Sequence, residues 1–474
     1  MLHTFKRAIA IIMAALMVFV LCCCRANESD NNSDITSEGQ GLTDTDTSIP
    51  TQTQNTNDPS VSENSSIIGT TENNDTANSE NNSGVFENSS VIGTTSTGNG
   101  DTTISTTSPT TPTTSETVNS SSNHKITATY EWHPGLPNED VRYDLSIRVD
   151  DKPVNVSSYT ITSKVKGVTA YQNRVTLNYS AREKGENVIV TVKHESGASC
   201  DISIPCFKWT QTFNDDFNGT ELDRTKWKEH WYLTNVAPAD ASTYQVIDRA
   251  KPAKDCYTVS DGKLNMLIKA EPTYDTNAKI KYLYSECCLD TAGRFEQTFG
   301  LFQASVASAK FSGINTAFWL LPKGSYSKFY TNFLSSDPRY GLAEIDIYES
   351  SVAFGNKNRR TFAISEHFYD YTNNYKAGNK RSAYYKLNDD ITNFHTYSCV
   401  WTADALYYYV NNKLIRTSSG LQTESADGRQ ITPAYMIVDV SLYLDNAWVG
   451  KRDFKASDLP IAGYVDWARA YKFN

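Results

Sequence analysis

Three carboxylates lie close together in a strand-like stretch, residues 341–350: Glu344, Asp346 and Glu349. Successive side chains of a strand point to opposite faces, so Glu344 and Asp346 share one face and the isoleucines that follow each of them point into a core. A regular strand would place Tyr348 next on the acidic face. Glu349 joins that face only if a β-bulge inserts one extra residue, a device that is common beside active sites.

Paired carboxylates of this kind can hydrolyse glycosidic bonds. One carboxylate attacks as nucleophile and one carboxylic acid donates a proton, with the two groups about 5–5.5 Å apart in retaining enzymes. Repulsion between the acids would keep a proton on one member of the cluster. The alternative is a solvated strand face, but exposed strands usually mix acids with Lys or Thr, and neighbouring like charges repel.

The chain has 474 residues, a net charge of −10 and a pI near 5.3. This length allows two or three domains. The absence of a basic patch in the sequence argues against a nucleic-acid partner.

Residues 1–24 read as a lipoprotein-type signal peptide. Lys6 and Arg7 precede an apolar run, residues 8–21, that is too short to span a bilayer comfortably. Three cysteines follow, and we expect cleavage before Cys24 or Cys23 with lipid attached there. The protein would then sit outside the cell, tethered to the membrane at the cell surface. Ordinary secretion is the alternative.

Residues 25–124 are rich in Ser, Thr and Asn and contain few large apolar side chains. Such a tract cannot bury enough surface to offset chain entropy, so we expect a disordered linker. It contains an imperfect repeat, residues 61–71 and 85–95. A flexible chain of this length has a root-mean-square span of roughly 50–60 Å, which suits a tether.

Residues 125–206 alternate in short strands, such as 126–130, 143–149 and 187–192, and predict a small β-sandwich. The pattern resembles a bacterial immunoglobulin-like module. It would serve either to bind carbohydrate or as a spacer, and we favour the spacer, because Trp132 and His133 are the only evident ligand contacts. Cys200 and Cys206 are close enough in sequence to form a disulfide.

Residues 207–474 also lack helical periodicity, and we expect a single bent β-sandwich whose concave face carries the acids. Here the chain resembles glycoside hydrolase family 16 in its bulged, laminarinase-like form, with the signature Glu-x-Asp-x-x-Glu. The further segments that carry the resemblance, in order, are Asp215–Asp223 with Lys226-Trp227, Gly293–Glu296, Thr316–Pro322, Phe394–Tyr397 with Trp401, and Val465–Tyr471.

The resemblance implies an all-β jelly-roll catalytic domain and a retaining mechanism. It implies that Glu344 is the nucleophile, that Glu349 is the acid/base and that Asp346 is their hydrogen-bonding partner. It favours an endo-acting hydrolase of β-1,3- or mixed β-1,3/1,4-glucan. The alternatives are a galactan hydrolase of the agarase or carrageenase type, a non-catalytic carbohydrate-binding protein on the same scaffold, and an adhesin.

The resemblance also suggests residues that would contact the polysaccharide, each with a purely structural role as its alternative: Trp319, His367, Trp401 and Trp448. No cofactor is required. Family members often hold a structural calcium ion, and Asp216 and Asp466 match that region. We expect a monomer whose partners are its polysaccharide substrate and, through the lipid anchor, the membrane.

Overall fold

The structure is a computed structural model that describes residues 123–323, 331–332, 340–354, 358–370, 376–419, 432–444 and 448–474. The predicted signal peptide with Cys23 and Cys24, and all but the last two residues of the predicted linker, lie outside the described residues. In the part that is described, no helix has the length and apolar character needed to cross a bilayer.

The first eight strands form two small sheets. Strands β1, β2, β6 and β5 lie side by side in one sheet with β3 on the edge of β2, and β4, β7 and β8 form the other. A short helix, α1 (Tyr179–Arg182), and a 3₁₀ turn (Val156–Ser158) lie in the connections. The strands are β1 Ile126–His133, β2 Val141–Val149, β3 Lys152–Pro153, β4 Tyr159–Thr162, β5 Val168–Tyr171, β6 Arg174–Leu177, β7 Val188–His194 and β8 Ser199–Ile204.

The strands from β9 onward build a larger sandwich, which also contains 3₁₀ turns at Ala241–Thr243 and Ala456–Asp458. Its strands are β9 Trp209–Asp215, β10 Lys228–Glu229, β11 Gln245–Pro252, β12 Tyr257–Ser260, β13 Lys263–Ile268, β14 Thr273–Asp275, β15 Ile280–Asp290, β16 Gly300–Ala307, β17 Ile314–Pro322, β18 Thr331–Asn332, β19 Tyr340–Ser350, β20 Thr361–Asp370, β21 Lys376–Lys386, β22 His395–Trp401, β23 Ala405–Val410, β24 Lys413–Ser419, β25 Ala434–Leu442 and β26 Ile461–Phe473.

One sheet of this sandwich, here called the acid sheet, has the order β10-β15-β25-β17-β19-β20-β21, with β11 and β14 on β15 and β18 on β19. The other, the back sheet, has the order β12-β13-β26-β16-β22-β23-β24, with β9 on β26. Side chains from the two facing sheets fill the core between them; Tyr348 of the acid sheet, for example, stacks on Tyr397 of the back sheet at 3.9 Å between ring centroids. The prediction of an all-β chain with a jelly-roll sandwich is confirmed.

Part of the back sheet, centred on β23, is buried on both faces, because the small sandwich covers its outer side there. Strand β23 reads Ala-Leu-Tyr-Tyr-Tyr-Val, and all six residues are buried. Leu406, Tyr408 and Val410 face the main core. The alternate residues Ala405, Tyr407 and Tyr409 face the small sandwich. A continuous apolar run is the pattern expected of a strand with two covered faces.

In the small sandwich, the structure decides against two possibilities that the sequence left open. Trp132 is only 3 % exposed and packs edge-on against Phe207, Tyr407 and Phe473, so its ring belongs to the junction with the back sheet and is closed to a ligand. Cys200 and Cys206 are free thiols and form no disulfide. Burial raises the pKa of each to about 11, which keeps both thiols protonated near neutrality.

Candidate active site

Strand β19 carries the predicted β-bulge. Against β17, Tyr348 lies opposite Phe318 and Asp346 opposite Trp319, so two steps along β19 match one step along its neighbour. The pairing with β20 shows the same extra residue between Asp346 and Glu349. The bulge lets Tyr348 enter the core, where it is fully buried, and turns Glu349 outward.

The pairing with β20 shows which way each acid points. Directly opposed residues in antiparallel strands project to the same face, and alternate residues of one strand share a face. The pairs are Glu344 with His367, Asp346 with Ser365, and Glu349 with Ala363. Since the three partners alternate along β20, all three acids lie on one face of the acid sheet.

Hydrogen bonds tie this cluster together. The His367 Nε2 atom is 2.9 Å from the Asp346 Oδ2 atom and 3.9 Å from the Glu344 Oε1 atom. A carboxylate only accepts, so His367 donates from Nε2 to Asp346. The Ser365 hydroxyl donates to the Glu349 Oε2 atom at 3.1 Å, and the Ser382 hydroxyl donates to Ser365 at 2.9 Å.

The acids differ in exposure in a way that suits different tasks. The Asp346 side chain is 4 % exposed, whereas that of Glu344 is 19 % exposed and that of His367 is 26 % exposed. Glu349 is also partly exposed. Asp346 therefore lies beneath the surface as a hydrogen-bonding partner, and the two glutamates are open to a substrate.

A fourth carboxylate, Asp439, lies on the same face two strands away. It pairs with Ala317 of β17, which in turn pairs with Glu349. The Trp319 indole donates to it at 2.8 Å and the Ser441 hydroxyl at 2.7 Å. Burial raises the pKa of Asp439 to about 6, and the nearby charge of Glu349 adds to the increase, while the two hydrogen bonds oppose it.

The predicted aromatic contacts fall in different places. Trp319 is partly exposed and lies opposite Asp346, directly beside the acids. Trp448 is also partly exposed; its ring centroid lies 5.3 Å from that of Phe354 and 5.7 Å from that of Tyr443. Burial raises the pKa of Tyr443, and the nearby charges of Asp439 and Glu349 add to the increase.

The prediction that Trp401 contacts sugar is wrong. This residue belongs to the back sheet, is 2 % exposed and packs edge-on against Phe299 at 5.4 Å between centroids. Its ring fills the core between the sheets, so no polysaccharide can touch it.

The residues suggested for calcium are a poor match to a cation site. The Asp216 carboxylate accepts from Asn214 at 2.8 Å and from the Arg469 guanidinium at 2.7 Å. These contacts lower the pKa of Asp216. A calcium ion at Asp216 would have to displace the positive charge of Arg469. The structural calcium ion stays a prediction from the resemblance alone.

Among the described residues, the group whose side chains could together hold a metal is Glu344, Asp346 and His367, with ligand atoms within 4.8 Å of one another. The hydrogen bond between Asp346 and His367 accounts for this closeness without an ion.

Two residues of the site were not predicted: Ser365 and Asp439. Ser365 could have been found, because it lies two residues before His367 and strand periodicity puts both on one face. Asp439 interrupts an apolar run, residues 435–440, which marks it as a buried polar residue that needs a partner.

Residues 257–469 match the model of the family described as glycosyl hydrolases family 16. This stretch of the chain is therefore similar to the domains of that family. The glucan endo-1,3-beta-glucosidase A1 of Niallia circulans is 25 % identical over 273 residues, which cover 55 % of this chain and 37 % of that protein. The beta-glucanase of Rhodothermus marinus is 26 % identical over 201 residues, which cover 40 % of this chain and 63 % of that protein.

The chain thus spans less than two thirds of the length of each of these curated relatives. Among solved structures, the endo-beta-1,3-glucanase of Pyrococcus furiosus aligns with 56 % of this chain and 95 % of its own, at 21 % identity and a TM-score of 0.42.

Proposed function

We propose that the protein is a retaining, endo-acting glycoside hydrolase that cleaves β-1,3- or mixed β-1,3/1,4-glucan. The observation that carries this proposal is the bulge in β19, which brings Glu349 onto the face that already holds Glu344. The names of the two curated relatives, a glucan endo-1,3-beta-glucosidase and a beta-glucanase, support glucan as the substrate.

In the first step, the Glu344 carboxylate attacks the anomeric carbon and Glu349 protonates the departing glycosidic oxygen. The hydrogen bond from Ser365 engages one oxygen of Glu349 and fixes the carboxyl plane, so that the other oxygen is free to face the leaving group. In the second step, Glu349 takes a proton from water, which displaces Glu344 from the sugar. Two inversions at one carbon restore its configuration.

Asp346 and His367 orient the nucleophile in this mechanism. Asp346 is held by His367 and lies between the two glutamates in sequence and on the sheet.

A panel of polysaccharides tests the proposal. Reducing-sugar release should be greatest on laminarin or barley β-glucan and low on agarose and carrageenan. Reducing-sugar release on agarose or carrageenan alone would mean that the substrate is a galactan. No release on any of the polysaccharides would favour a carbohydrate-binding protein. Proton NMR of the first product should show retained anomeric configuration.

We also propose that the protein is a lipoprotein tethered to the outer surface of the cell through Cys24 or Cys23, with the small sandwich as an immunoglobulin-like spacer. The basic start, the short apolar run and the cysteines of residues 1–24 support the anchor. Metabolic labelling with a fatty acid should tag the wild type, and a variant with serine at both positions should stay unlabelled. An untagged wild type would indicate ordinary secretion.

A further inference from the structure

Strand β20, which lies next to the acids, carries a buried charge that the proposed mechanism does not use. The core face of β20 is formed by the apolar side chains of Phe362, Ile364 and Phe368. Glu366 has the same phase along the strand and is fully buried. A carboxylate loses its hydration in such a place, so it needs hydrogen bonds and an opposite charge.

Three side chains of the back sheet bind the Glu366 carboxylate. The Tyr408 hydroxyl of β23 donates to its Oε1 atom at 3.1 Å, and the Ser418 hydroxyl of β24 donates to its Oε2 atom at 2.8 Å. The Arg416 guanidinium, also on β24, lies 3.1 Å from Oε1. A second guanidinium, that of Arg381 on β21, lies 4.0 Å from Oε2. Glu366 therefore connects the acid sheet to the back sheet through the core.

A buried ion pair of this kind contributes less to stability than its short distance suggests. The loss of hydration of both charges can equal or exceed their mutual attraction. Charge-assisted hydrogen bonds are nevertheless strong and directional once they form. Burial raises the pKa of Tyr408 well above its ordinary value, and the charge of Glu366 adds to the increase, so this hydroxyl remains a donor. The cluster can therefore fix positions even if it adds little stability.

The position that it fixes is important for the site, because Glu366 lies between the two residues of β20 that hold the acids. Ser365 donates to Glu349 at 3.1 Å, and the His367 Nε2 atom lies 2.9 Å from the Asp346 carboxylate. Successive residues of a strand face opposite sides. Ser365 and His367 therefore point to the cleft, while Glu366 points to the core and the back sheet.

The backbone pairing of β20 is irregular at this point. Its ladder with β19 shifts register on both sides of the segment Glu344–Asp346. Its ladder with β21 shifts register between His367 and Tyr369. Irregular steps of this kind interrupt the regular ladder hydrogen bonds. An anchor on the core side of β20 supplies a constraint that the neighbouring strands provide less completely.

We propose that Glu366 is a positioning residue for the hydrolysis. Its bonds to the back sheet hold β20 in place, so that Ser365 and His367 keep their hydrogen bonds to the acids. A displacement of reacting groups by about 1 Å can cost about 10²-fold in rate, even when its cause is remote. The inference rests on the proposed function, since the groups that are positioned belong to the same site.

The test replaces the ion pair and the adjoining hydroxyl by apolar groups together. The triple variant Glu366→Leu/Tyr408→Phe/Arg416→Met leaves no charge without its partner in the core, and such replacements often keep or raise stability. On laminarin we expect kcat to fall about 10- to 100-fold, with KM unchanged and no lower melting temperature. Wild-type kcat in the folded triple variant would overturn the proposal. If the triple variant does not fold, Tyr408→Phe alone should still lower kcat, and an unchanged kcat would overturn the proposal.

Two comparisons separate positioning from stability. Arg416→Lys keeps a positive charge beside Glu366 and should retain much more of kcat than Arg416→Met; equal losses would contradict a role of the ion pair. The matched control is Arg182→Met, because Arg182 is also fully buried and donates to the Leu136 and Glu139 carbonyls of the small sandwich. This variant should melt at a lower temperature with kcat unchanged. A loss of kcat equal to that of Arg416→Met would show that destabilisation alone explains the effect.

Hydrogen exchange measures the anchor without turnover. Amide exchange in peptides that cover β20 should be faster in the triple variant than in the wild type, and exchange in β17 should not change. Wild-type hydrolysis of the polysaccharide panel is run in parallel. An inactive wild type would refute the proposed function, whereas unchanged exchange in β20 would overturn the anchor, so the two failures are seen separately.

Discussion

Two faces of the larger sandwich carry aromatic side chains, and the surroundings of these rings differ between the two faces. On the open face of the acid sheet, Trp319 is partly exposed and donates to the carboxylate of Asp439. On the outer face of the back sheet, Tyr407 and Tyr409 are buried and donate to the backbone carbonyls of Trp132 and Pro134. The first set lies beside titratable groups, and the second is part of a junction between sandwiches.

The comparison shows that aromatic richness does not distinguish a ligand site from an interface. Trp319 and Trp132 are both tryptophans on β-sheet surfaces, but their neighbours differ: carboxylates surround one and aromatic rings surround the other. The distinction depends on which surface is covered, and that is a property of the assembled chain.

The largest effect on activity should come from a substitution on the open face of the acid sheet. Glu344→Gln keeps the shape of the side chain and removes the attacking charge, so we expect kcat to fall by roughly 10⁴- to 10⁶-fold, as in other enzymes that lose a nucleophile. Initial rates on the best polysaccharide measure this. An unchanged melting temperature would show that the loss is chemical, and retained turnover would exclude Glu344 as the nucleophile.

Glu349→Ala should have a smaller and selective effect. Loss of a general acid costs about 10²- to 10⁴-fold, and less when the leaving group needs no proton. We expect polysaccharide cleavage to collapse while activated aryl glycosides still react with Glu344, and added azide should then restore turnover with an azide product. Ser365→Ala keeps the Glu349 carboxyl group and removes its hydrogen bond from Ser365, together with the acceptor of Ser382; it is the matched control and should reduce activity far less. Equal losses for both substrates would assign Glu349 another role.

Substituting one tryptophan at each location tests whether the buried ring serves stability and the partly exposed ring serves substrate binding. Trp132→Ala removes a 3 % exposed ring from the junction and should lower the free energy of unfolding by about 3–5 kcal/mol, with KM unchanged. Trp319→Ala should do the reverse, raising KM with a smaller loss of stability, because its ring is partly open. Chemical denaturation and initial-rate kinetics on both variants decide the matter. A raised KM for Trp132→Ala would mean that the junction communicates with the site.

Much of the fold could be predicted from sequence because strand periodicity is local. The predicted strand 126–130 is the first part of β1, Ile126–His133, and the predicted strand 143–149 lies within β2, Val141–Val149. The bulge was also predictable, since Glu349 sits one residue out of phase with Glu344 and Asp346. The family resemblance read from the sequence agrees with the match of residues 257–469 to the family model.

What could not be predicted depends on contacts between distant residues. Trp401 and Trp319 both lie in strand-like runs, yet one faces the core and the other the cleft, because Trp401 belongs to the back sheet. From sequence alone Trp132 could have contacted a ligand. In the structure its ring packs against the outer face of β23, more than 270 residues away in sequence. His230 and Asp290, which are 60 residues apart, form a buried hydrogen bond. No local pattern marks such pairs.

The smallest predicted effect concerns Asp439 and depends on pH. Its pKa of about 6 in the folded protein lies above its ordinary value of 3.8, so between these values the folded state holds a proton that the unfolded state has released. The wild type should therefore lose stability as pH rises from about 4 to 6, by an amount on the order of 3 kcal/mol. Asp439→Asn cannot ionise and keeps an oxygen for the Trp319 indole.

Denaturation at pH 4 and pH 7.5 measures this difference. The Asn variant should gain on the wild type as pH rises, and a gap that is the same at both pH values would contradict the raised pKa. The control has the opposite sign: hydrogen bonds from Asn214 and Arg469 lower the pKa of Asp216, so its charge stabilises the folded state above the ordinary pKa. Asp216→Asn should therefore be less stable than the wild type at pH 7.5, and that deficit should shrink on acidification. The two variants should therefore show opposite pH dependence of stability. That result would mean that the Asp439 carboxylate lowers stability when it is charged, whereas the Asp216 carboxylate raises it.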